Sequence, residues 1–90
     1  MVICLSHLGY NYKNSDKISD LKLAAATKNI DLIIGGHTHT FLPKPTLVKN
    51  ASDENVLVNQ VGAYGVHLGR VDFYFDEQHQ REISNKTIIL

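Results

Sequence analysis

Ninety residues carrying nine basic and nine acidic side chains have a formal net charge of zero at pH 7. A hydrophobic share of 43% with 20% charged residues is that of a globular protein and excludes a disordered or fibrous chain. The lysines are spread from Lys13 to Lys86 without a run, which leaves no electrostatic footprint for a nucleic-acid polymer or a membrane surface.

In chain order, residues 2–5 (VICL) form a short continuous apolar run, the pattern of an interior parallel strand covered on both faces. Cys4, the single cysteine, lies inside this run and reads as a buried thiol without a disulfide partner. The polar stretch "GYNYKNSDK" follows as a loop, and Ser15 or Asp16 can cap a helix. Ile18, Leu21, Ala24 and Ala25 then recur at helical spacing, with Lys28 in the last turn and Asn29 as a stop. This predicts a helix over about residues 16–28.

Residues 31–36 (DLIIGG) read as a second buried strand, which completes a βαβ unit. Such a crossover makes its two strands parallel, so their carboxyl ends open on one edge of the sheet. His7 follows the first of these ends, and His37-Thr38-His39-Thr40 follows the second.

Beyond Phe41, Pro43 and Pro45 fix an extended connection, and three antiparallel strands are predicted: "NVLVNQV", "LGRVDFYFD" and "REISNKTIIL". In the middle one, Val71, Phe73 and Phe75 alternate with Arg70, Asp72, Tyr74 and Asp76, so one face is expected to meet a core. "DEQHQR" reads as a hairpin connection. No apolar stretch approaches the roughly 18 residues of a membrane-spanning helix, and "MVICLSH" leaves no room for a secretory leader, so the chain is expected to stay where it is made. The apolar close, "TIIL", suggests a domain that continues further. "NAS" and "NKT" match the N-glycosylation pattern and are assigned no role.

The histidines divide by position. His79 falls in the polar connection and reads as solvated, and His67 adjoins two glycines at a strand start. His7, His37 and His39 share the edge where α/β sheets carry ligands, and Gly35 and Gly36 are expected to free the backbone that exposes the pair. From the residues alone two readings stay open: a metal-ligand loop, or polar turns ending buried strands.

The combination of "VICLSHLGY", "IDLIIGGHTHT" and "VLVNQVGAYGVHLGRVDFYFD" resembles the calcineurin-like metallophosphoesterases, and within them the 5′-nucleotidase branch. The resemblance implies a four-layer α/β/β/α sandwich, of which this chain supplies a part: the βαβ unit followed by antiparallel strands. It implies that residues 1–90 are the second half of the metallophosphoesterase domain. It further implies a site for two divalent metal ions, zinc or manganese, acting on a phosphomonoester or nucleotide substrate. His7 and His37 would bind one ion and His39 the other. Two such ions, about 3.5–4 Å apart, activate a water for attack on phosphorus. Thr38 and Thr40 are expected to stabilise the loop.

The family's first half supplies an Asp-x-His, a Gly-Asp-x-x-Asp and a Gly-Asn-His-Asp/Glu, and none of these occurs in this sequence. Asp31, Asp72 and Asp76 lack the matching context. Three imidazoles do not complete two metal shells, since a closed zinc site alone wants four ligands. The isolated chain is therefore expected to be catalytically incomplete, with the missing amino-terminal half or a second copy covering its open face. The nucleotide-specificity domain of the branch is also missing. Alternatives are a non-catalytic self-associating module, or a metal-binding protein using the three histidines. Intact relatives often work in the periplasm or outside the cell, and the compartment of this chain is left open.

Overall fold

β1 (Ile3–Leu5), α1 (Asp20–Ala26) and β2 (Leu32–Ile34) form the predicted crossover in the computed structural model, which describes residues 1–78 and 81–90. The two strands are parallel and directly adjacent, with Cys4 opposite Ile33 and Leu5 opposite Ile34. β3 (Thr46–Lys49) and β4 (Asn55–Asn59) complete a four-stranded sheet of order β1-β2-β4-β3. β5 (His67–Phe75) and β6 (Arg81–Ile89) make a separate antiparallel pair. The architecture is α/β, as the sequence implied.

One face of the four-stranded sheet meets α1. Ile33, Val56 and Val58 point to that side and pack with Ala24 of the helix, all four fully buried, and Cys4, Tyr10, Leu21 and Val48 close around them. The opposite face, with Ile3, Leu32, Ile34 and Val61, looks across a cavity of about 610 Å³ toward Leu68 and Val71 of β5. The layers are thus helix, sheet and hairpin. Among the described residues no helix is long and apolar enough to cross a membrane.

Several details differ from the sequence reading, each for a local reason. The helix starts at Asp20 rather than near residue 16, because Ser19 takes the capping position and its hydroxyl accepts from the Lys22 amide at 3.3 Å. Ser15 instead closes a small turn, accepting from the Lys17 amide at 3.1 Å. The helix ends at Ala26, where Thr27 bends out with its hydroxyl bonded back to the Leu23 carbonyl at 2.7 Å, leaving Lys28 and Asn29 in the turn beyond.

β4 is antiparallel only to β3, a strand not anticipated behind the two prolines, and it runs parallel to β2. Asn50, the first residue of "NAS", is buried and closes the β3–β4 turn, its Oδ1 accepting from the amides of Ser52 at 2.8 Å and Glu54 at 2.9 Å. β1 is an edge strand, not an interior one, with Ile3 47% and Leu5 79% exposed. Cys4 is half-buried against the core. In β5, Val71 and Phe73 are half-buried as the alternation predicted, but so is Asp72, and Phe75 is exposed. His79 lies outside the described residues.

Candidate functional site

The carboxyl ends of β1 and β2 are held together one residue beyond the strands, where the Ser6 amide donates to the Ile34 carbonyl at 2.9 Å. On the other side, the Gly35 amide donates to the Asn59 carbonyl at 2.9 Å, tying β2 to β4 at the same level. His7 therefore leaves β1, and Gly36-His37 leaves β2, from a firmly paired rim.

The turn itself is built differently from the expectation. Neither Gly35 nor Gly36 takes a left-handed backbone; His37 (φ 71°) and His39 (φ 53°) do. A side chain in that region costs of order 1–2 kcal/mol. The strain is therefore carried by the two histidines themselves. The glycines serve by occupying little space: a Cβ on Gly36 would stand 3.4 Å from His7 Nδ1, and one on Gly35 would run into Asp20 Oδ2.

The threonines of "HTHT" alternate with the histidines in role as well as in sequence. Thr38 Oγ1 accepts from the Tyr10 amide at 3.0 Å and pairs with Thr40 Oγ1 at 2.8 Å. Gln60 Oε1 accepts from the Thr40 amide at 2.6 Å, and the Gly62 amide donates to the Thr40 carbonyl at 2.9 Å. The threonines pin the loop inward while His37 and His39 stay exposed, as does His7.

The rings of His7 and His37 meet edge to face with centroids 5.0 Å apart. His39 instead lies against Tyr64, centroids 5.7 Å apart. His67 stacks on Phe41 at 4.2 Å, and its Nδ1 is buried without a hydrogen-bond partner among the described residues. Among the described residues, too, no group of three or more His, Cys, Asp or Glu side chains is arranged to hold a metal ion. The structure thus joins His7 to His37, and leaves His39 on the same loop but in other company. Two of the carboxylates weighed from sequence stand elsewhere: Asp31 accepts from the Val2 amide at 2.7 Å at the amino end of the sheet, and Asp72 pairs with Arg70 on the hairpin at 3.0 Å.

Three residues of the site were not singled out from sequence. Gln60 is buried and anchors the loop; a polar residue ending an apolar strand at the ligand edge was its only signal. Tyr64, 92% exposed beside His39, lies within the stretch that carries the resemblance, between Ala63 and Gly65, without a periodicity that marks it out. Asp20, buried beside Ser6 and Gly35, carried no signal in the predicted helix over about residues 16–28.

Comparison with known proteins identifies the family. No family model matches the sequence. The chain is 44% identical over 90 residues to the trifunctional nucleotide phosphoesterase YfkN of Bacillus subtilis (strain 168), covering 98% of this chain and 6% of that protein. It is 30% identical over 102 residues to a 5′-nucleotidase of Diplobatis ommata (99% of this chain, 16% of the relative) and 31% identical over 96 residues to an apyrase of Aedes aegypti (87% and 16%). The solved 5′-nucleotidase precursor from Thermus thermophilus superimposes with a TM-score of 0.71 at 30% identity, over 79% of this chain and 17% of that one. The relatives named are nucleotide phosphoesterases and nucleotidases. The chain belongs to the 5′-nucleotidase family, and it spans about a sixth or less of the length of the relatives named.

Proposed function

We propose that the chain is the second half of a metallophosphoesterase domain and supplies histidine ligands to a metal-dependent phosphoric monoester hydrolase acting on nucleotides. The observation that carries this reading is the His7–His37 approach, rings 5.0 Å apart and exposed at the carboxyl ends of two parallel strands. Two adjacent imidazoles suit zinc or manganese as part of a ligand set. They are not a whole one, so the remaining donors belong to sequence outside these 90 residues. His39, on the same loop, is assigned to a second ion.

Bound divalent ions would supply Lewis acidity toward the phosphate and acidify a water at neutral pH. This chain's own part is to hold the imidazoles. Gln60, Thr38 and Thr40 fix the loop so that the strained histidine backbone does not relax away from the rim. Gly36 leaves room for the His7 ring.

The purified chain is expected to bind zinc weakly and to hydrolyse a nucleoside monophosphate or an aryl phosphate no faster than buffer with the same metal. Efficient metal-dependent turnover by the lone chain would contradict the shared-site reading. A second reading, self-association, is favoured by the exposed apolar side chains Ile3, Leu5, Ile34 and Leu68 on β1, β2 and β5. Such patches are rare on monomers. Light scattering distinguishes the two: dimers or larger species support self-association, and a soluble monomer removes it.

A further inference from the structure

Asp20 is completely buried, although aspartate is almost never so unless paired. Its Oδ1 accepts from Ser6 Oγ at 2.5 Å, while its Oδ2 is buried with no hydrogen-bond partner among the described residues. Ser6 immediately precedes His7, and the same Ser6 Oγ accepts from the Leu8 amide at 3.2 Å, so the carboxylate holds the hydroxyl that in turn closes the backbone around His7. Oδ2 lies over the α-carbon of Gly35, in the space a Cβ would need, and Gln60 Nε2 is 3.4 Å from that same point. Gly35 stands two residues before His37. The Asp20 amide also donates to the Gly9 carbonyl at 2.8 Å. A single side chain therefore bridges the two strand ends that present the paired histidines.

An unsatisfied buried carboxylate oxygen lowers stability, so its presence between two ligand-bearing segments asks for a role other than packing. We propose that Asp20 is a positioning residue: its buried carboxylate locks Ser6-His7 against Gly35-Gly36 and so sets the approach of the His7 and His37 rings. The proposal deepens the metal reading above, yet ring approach is a property of the metal-free chain and can be read without it.

The test is nuclear Overhauser contact between the His7 and His37 rings in the metal-free chain, together with zinc titration of the same samples. Wild type shows the ring contact. Asp20→Ala keeps the Cys4–Ile33 strand pairing but loses the ring contact, and zinc affinity falls about 10- to 100-fold, as for other groups that orient a ligand. Asp20→Asn, which keeps an acceptor for Ser6, restores most of both. Gly35→Ala displaces the carboxylate and reproduces the loss, and adding it to Asp20→Ala changes nothing further.

Ring contact that persists in Asp20→Ala, or effects of the two substitutions that simply add, would overturn the proposal. So would a wild type without the contact. If Asp20→Ala does not fold, the decision passes to the other two: the contact must survive in Asp20→Asn and vanish in Gly35→Ala. Intact ring contact in a wild type that binds no zinc, with the variants behaving as stated, would remove the metal reading and leave the positioning role supported.

Discussion

Replacing Ile33 by alanine is expected to lower stability by about 2–5 kcal/mol, the range for truncating a fully buried Leu, Ile or Met. Ile33 is the largest fully buried side chain among the described residues and sits midway along β2, with Cys4 on one side and Val58 on the other. The buried core comprises only six hydrophobic side chains among those residues, Ala24, Val56 and Val58 included, so few neighbours can shift to fill the space. Small domains have roughly 5–15 kcal/mol in total, and a chain this short lies toward the lower end. Urea denaturation followed by circular dichroism should show the midpoint falling sharply. Because His37 follows β2 closely, the histidine rim should disorder with it. A loss under about 1 kcal/mol would show that the core lies elsewhere.

His37→Ala is expected to reduce zinc affinity on the order of 100-fold. Four-ligand zinc sites are worth about 10–16 kcal/mol, so one ligand carries about 3 kcal/mol. Stability should hold or fall slightly, since alanine tolerates the left-handed backbone at this exposed position no better than histidine while the turn stays pinned by Thr38, Thr40 and Gln60. His67→Ala is the matched control: its ring stacks on Phe41, away from the pair, and zinc affinity should not change. Calorimetric titration of both variants decides it. Equal affinities would show that zinc does not use the His7–His37 pair.

Much of this fold was legible in the sequence because it rests on short, dense signals. The runs around Cys4 and Ile33, with helical spacing between them, were enough to place a parallel pair with its ligand edge, and that edge is where His7 and His37 meet. Burial was less legible. An apolar run reads the same whether its face is covered by this chain or by another, so β1 looked interior while Ile3 and Leu5 are exposed. β3, behind Pro45, is no continuous apolar run but alternates half-buried and exposed residues, and it is held by its pairing with β4.

Within the site, the neighbouring glycines drew the expectation of a flexible turn, and the left-handed backbone falls on the histidines instead. The glycines answer a packing demand from Asp20 and His7, which involves residues far apart in the chain. No local pattern encodes such a demand. The same holds for the contact of His39 with Tyr64, which lies far along the chain.

The central claim is that His7 and His37 act together on a divalent ion. Side-chain nitrogen spectra of the histidines during addition of one equivalent of zinc test it most directly. The account predicts that the ring resonances of His7 and His37 move together and early, while those of His67 stay in place. Movement of His37 without His7, or of His67 as strongly as either, would contradict it.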